Sequence, residues 1–129
     1  MVIMLKRFMQ SAGLTPNIAQ VINGNVVSSL TASGSAQNDA AICPAGVNVF
    51  TTVAASTGCI LGAPTVAATT SRLVSGDSII VTNHGANDLS VYPPTGGKIN
   101  NGTANVAITV STNTSVLFKA ISTVDLVTL

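Results

Sequence analysis

The chain has 129 residues, and only 7% of them are charged, against about 25% in an ordinary soluble domain. With a formal net charge of +1 it has no field to steer it to nucleic acid or to an anionic membrane surface, so neither is expected as a partner. Hydrophobic residues make up 47%, yet no stretch approaches the roughly 20 apolar residues of a spanning helix.

The length suits a single domain with a modest core. The apolar residues are mostly Val, Ile and Ala set among Thr, Ser and Asn, which is β-forming composition. An apolar chain with so little charge is expected to hide surface in a permanent homo-dimer or homo-trimer. The opening "MVIMLKRFMQSAG" has the wrong order for a secretion signal, because Lys6 and Arg7 follow the apolar residues, and it is expected to be retained. It reads either as a disordered start or as an arm that grips a partner through Met4, Leu5, Lys6, Arg7, Phe8 and Met9. Flexible methionines suit the second use because they fill irregular gaps.

After this arm, residues 1–13, a single domain is expected over 14–129. "GLTPN", "INGN" and "SGSAQND" mark turns, and between them strands are predicted around Ile18 to Ile22 and Val26 to Thr31. A stronger strand runs through "VNVFTTVAA", with Val47, Val49, Thr51 and Val53 on one face. "CILGAPT" and a small-residue stretch ending near Arg72 follow. "SGDSIIVTN" is a strand entered through a glycine turn, linked by "NHGAND" to "LSVYP". "NVAITV" places Val106, Ile108 and Val110 on one face; "SVLFKAI" sets Val116, Phe118 and Ala120 opposite Leu117, Lys119 and Ile121; "TVDLVTL" closes the chain. No helical period occurs after the arm. Short strands at about 8–12 residue spacing, with turns between, indicate an all-β sandwich or barrel.

The segment "VTNHGANDLSVYPPTGGKIN" holds the only histidine and the only tyrosine. It is not a phosphate-binding loop: Ile99 follows Gly97-Lys98 where Ser or Thr is needed, Tyr92 stands at the upstream glycine position, and no helix follows. Pro93 and Pro94 stop a strand, and Gly96 and Gly97 permit the positive φ of a turn. His84 has only Asp88 nearby, and turn roles for Asn83, Gly85, Asn87 and Asp88 account for that loop. No nucleophile, base and orienting group can be assembled, and one histidine with scattered aspartates makes no metal site, so neither catalysis nor a cofactor is expected. Cys43 and Cys59 lack redox or zinc spacing and read as two buried small hydrophobes or as one disulfide.

The progression "VNVFTTVAASTGCILG…GDSIIVTNHGANDLSVYPPTGGKINNGTANVAITVSTNTSVLFKAIST" resembles a group of small tailed-bacteriophage virion proteins. In these, a "GD…I.V.N.G.N.L.VYPP.GG.IN" segment precedes a valine-rich strand and a final β-hairpin. The resemblance spans about residues 47 to 123, and the "MVIMLKRFMQ" arm lies outside it. It implies a jelly-roll-like β-sandwich or barrel on the outer capsid surface, here with an N-terminal arm. The implied role is capsid cement, or decoration, with the major capsid protein and copies of itself as partners. The alternative is a component of a head or tail fibre, a receptor- or carbohydrate-binding module. The scarcity of aromatic side chains disfavours that alternative.

Overall fold

The computed structural model describes residues 25–63 and 71–129. The expected arm, the strand around Ile18 to Ile22 and part of the small-residue stretch before Arg72 lie outside these residues.

Nine strands make up the described fold: β1 (Val26–Thr31), β2 (Ala41–Ile42), β3 (Val47–Thr52), β4 (Gly58–Ile60), β5 (Ser78–Asn83), β6 (Leu89–Tyr92), β7 (Ile108–Val110), β8 (Thr114–Ala120) and β9 (Leu126–Thr128). A one-turn 3₁₀ helix, Gln37–Asp39, sits between β1 and β2. The strands form a five-stranded sheet in the order β1-β3-β5-β8-β9 and a four-stranded sheet in the order β2-β4-β6-β7. The protein is all-β, as composition and alternation predict, and its two sheets are separate rather than closed into a barrel.

Their connection departs from a chain of hairpins. β1 to β6 alternate between the two sheets, so each strand lands beside the one two positions earlier and runs parallel to it. Only the last strands pair antiparallel, β6 with β7 and β5 with β8 and then β9. "NHGAND" is therefore a crossover between sheets. A jelly roll is built from antiparallel strands, whereas β1 to β6 of the described fold form a flattened coil of parallel pairs, closed by antiparallel strands.

Both sheets contribute to one core. Phe50, Val81, Phe118 and Leu126 come from the larger sheet and Cys59, Leu89, Val91 and Val110 from the smaller. On β8 the face grouped as Val116, Phe118 and Ala120 is the inward one: Phe118 and Ala120 are buried and Val116 packs against the core. On β3 the face grouped as Val47, Val49 and Thr51 is the outward one, while Val53, beyond the strand, is buried. Asn48 and Phe50 are the fully buried residues, while Val47, Val49 and Thr51 look outward. Buried Asn48 is tolerated because its amide is satisfied: Oδ1 accepts from Ala45 N at 3.0 Å, and Nδ2 donates to Ala45 O at 2.7 Å and Ile80 O at 3.3 Å. Val106 is not in β7; its backbone closes a turn on Thr103 and its side chain is exposed.

Candidate functional site

The residues that invited a chemical reading hold loops together. Asn83, fully buried at the end of β5, donates through Nδ2 to Asn87 O at 2.8 Å and Val110 O at 2.9 Å, and its Oδ1 accepts from Gly85 N at 2.8 Å. Asn87 Nδ2 then donates to Val53 O at 2.9 Å, and Thr112 Oγ1 donates to Gly85 O. One amide thus fastens the crossover to β7. His84 points to solvent, and its backbone N–H donates to Phe50 O at 2.8 Å.

The long segment between β6 and β7 is a strap from the smaller sheet to the edge of the larger. Ile99 inserts into the core and bridges to Leu126. Around it, Lys98 N donates to Asp125 Oδ1 at 2.9 Å, Leu126 N to Lys98 O at 2.9 Å, and Asn100 N to Leu126 O at 3.0 Å. The Lys98 side chain is exposed. Gly96 has the expected positive φ, +85°, but Gly97 does not. Gly97 is required instead because backbone passes too close for any side chain, and Asn100, Asn101 and Asn105 take the other left-handed positions.

Cys43 and Cys59 are buried free thiols on neighbouring segments of the smaller sheet. Burial pushes the Cys59 thiol well above its ordinary value, and the hydrogen bond and charge interaction with Cys43 push the same way. Such a thiol packs as a small hydrophobe. A cleft of about 620 Å³ opens beside Cys43, bounded by Asn25, Ala63 and Arg72. These residues lie at or beside the ends of the described segments. Among the described residues no cluster of three His, Cys, Asp or Glu side chains could hold a metal.

A different feature stands out on the surface. Cross-strand register places Val26 of β1, Val47 of β3, Ile80 of β5 and Leu117 of β8 side by side on the outward face of the larger sheet. Leu129 extends the row, its N–H donating to Leu117 O at 3.0 Å. Val49 and Val127 flank the row, and the one charged residue on this face of the strands is Lys119, whose ammonium donates to Ser78 Oγ at 3.0 Å. Val26 and Leu129 at the ends are 61% and 77% exposed. The outward face of an antiparallel or mixed sheet in water ordinarily alternates to polar residues.

The smaller sheet is treated differently. Its outward residues Ile42, Ile60 and Tyr92 are covered by the segment carrying the 3₁₀ turn, with Ala40 packed on Ile60. Gln37 Nε2 fastens that cover to Pro93 O at 2.8 Å. Among the described residues no equivalent segment crosses the larger sheet. The sequence contained a signal for this stripe in "SIIVT" and "VNVF", where apolar residues fall on both faces of a strand. Which residues form one row depends on the parallel register, which alternation does not specify. The arm residues Met4, Leu5, Lys6, Arg7, Phe8 and Met9 lie outside the described residues. No family model, no curated protein and no solved structure matches this chain.

Proposed function

We propose that the protein is a structural virion component, a capsid cement or decoration protein that binds and stabilises the outside of a phage head. The observation that carries this reading is the aliphatic row Val26, Val47, Ile80, Leu117 and Leu129, which no described segment crosses. A surface of that kind suits assembly. The side chains with chemical potential support the same reading, since Asn83 is used to fasten loops and both thiols are buried. Its partners in this reading are the major capsid protein and copies of itself, with the N-terminal arm as the grip on the shell. Little of the attachment energy would be Coulombic, so it should tolerate salt.

Co-sedimentation with heads stripped of the protein tests this. Saturable binding in many copies per head, retained in about 1 M salt, is the expected result. Binding to isolated tails with none to heads would favour the fibre alternative, and binding to neither would end the virion reading.

A further inference from the structure

We propose that Cys43 and Cys59 are a disulfide-forming pair, a reversible cross-link that fastens the edge of the four-stranded sheet to the strand beside it. The site stands independently of the virion reading.

Register brings the two thiols together. β2 and β4 run parallel, with Ala41 opposite Cys59 and Ile42 opposite Ile60. Cys43 N donates to Ile60 O at 3.1 Å, so the pairing continues one residue past β2. Ala41, Cys43, Cys59 and Leu61 share the inward face and pack in the main core, while Ile42 and Ile60 belong to the outer cluster. Cys43 is thus the diagonal neighbour of Cys59 on the same face, and the two thiols are hydrogen-bonded.

Diagonal neighbours have Cα atoms about 7–8 Å apart, and a disulfide spans up to about 6.8 Å. A shift of about an ångström closes that gap. β2 is placed to make it. Among the described residues it pairs with β4 alone, through two residue pairs, and Pro44 after Cys43 has no N–H to hold the edge. The bond would tie down the shortest strand of the sheet and, through Ala40, the cover over Ile60.

The co-reactant is a small-molecule disulfide such as oxidised glutathione. Cys43, 8% exposed against 0% for Cys59, meets it first, as the β2 edge opens locally. Its thiol gives up a proton, and the sulfur attacks one sulfur of the small disulfide, breaking that S–S bond and releasing one thiolate. Cys59 then gives up its proton and attacks the Cys43 sulfur of the mixed disulfide, releasing the second thiolate. The protein loses two hydrogens, and the small disulfide is reduced to two thiols. A reducing cell interior keeps such a pair open and an extracellular setting closes it. On the outside of a released particle the cross-link would therefore form after release.

Intact mass spectrometry of the full chain in glutathione buffers tests the assignment. The reduced, folded protein is equilibrated over a series of reduced-to-oxidised ratios, quenched in acid and alkylated under denaturing conditions. As the buffer becomes more oxidising, the monomer should become two hydrogens lighter with neither thiol alkylated, and dithiothreitol should restore it. Half-conversion should need about tenfold less oxidised glutathione in native buffer than in denaturing urea, because the fold holds the pair together. With Cys59→Ala, glutathione should add to Cys43; with Cys43→Ala, it should add to Cys59 at least about tenfold more slowly. Two alkylated thiols after the most oxidising native buffer would overturn the proposal. So would a disulfide formed only between copies, a midpoint no better in native buffer than in urea, or capture of Cys59 as fast as Cys43. The wild-type measurements decide the matter should either alanine variant fail to fold. No particle enters this experiment, so its outcome is separate from that of head attachment.

Discussion

A Cβ on Gly97 would lie 1.9 Å from the carbonyl oxygen of Val124, so the strap and the turn before β9 meet backbone to backbone. Gly96, one residue earlier, has φ +85° and nothing within 4 Å of its Cβ position. The two glycines are therefore required for different reasons. Gly96→Ala should cost about 1 kcal/mol, the cost of left-handed backbone for an ordinary residue. Gly97→Ala should cost about 2–3 kcal/mol, because backbone must move to admit the methyl group. Urea titrations of the two variants check the order; equal costs would contradict the close approach.

Asn83 carries a second prediction. Removing its amide strands Gly85 N–H and the carbonyls of Asn87 and Val110 in a buried site. Asn83→Ala should destabilise by about 3 kcal/mol. Asn83→Asp should be no better near neutral pH, since a carboxylate faces two carbonyl oxygens and cannot donate to either. Thermal unfolding measures both.

What the sequence disclosed follows from the range of each signal. The β1 and β8 spans, and the grouping of Val116, Phe118 and Ala120 on one face of β8, were readable because two-residue alternation is local. The pairing of Val47 with Ile80 was not, because a parallel return joins residues far apart in sequence and leaves no periodic mark. That Asn48 and Phe50, not Val47 and Val49, form the inward face of β3 was equally hidden. A buried Asn48 is tolerable only because Ala45 and Ile80 satisfy it, and those partners are set by the fold. The aliphatic row depended on that register, so its members were visible and their adjacency was not. The strap was legible as a structural connection from its prolines and glycines, while the insertion of Ile99 beside Leu126 was not.

The cysteines give a pH-dependent expectation. Unfolded, the Cys59 thiol ionises at about 8.5; folded, burial and Cys43 hold it neutral well above that. A raised folded value means that this contribution to stability is complete below about pH 8.5 and declines as pH rises beyond it. At pH 8 the native protein should resist iodoacetamide at Cys59 and react there once denatured. Rapid native labelling of Cys59 at pH 8 would contradict its burial.

The arm and the loop side chains separate attachment from folding. Deleting residues 1–12 should leave a folded module that binds heads at least tenfold more weakly, because several large apolar side chains near Phe8 would be lost from the contact. His84→Ala and Lys98→Ala should change stability by no more than about 0.5 kcal/mol and leave binding unaltered, since the fold uses their backbone groups. A large loss of binding from either alanine variant, with the fold intact, would make that loop a recognition site.

In its proposed role this chain is a structural component of the outer capsid surface. A cryo-electron reconstruction of particles carrying the protein measures that directly. Density for the β module repeated at lattice positions over the head is the expected result. Absence from the head lattice, with a few copies at the tail or none on the particle, would contradict it.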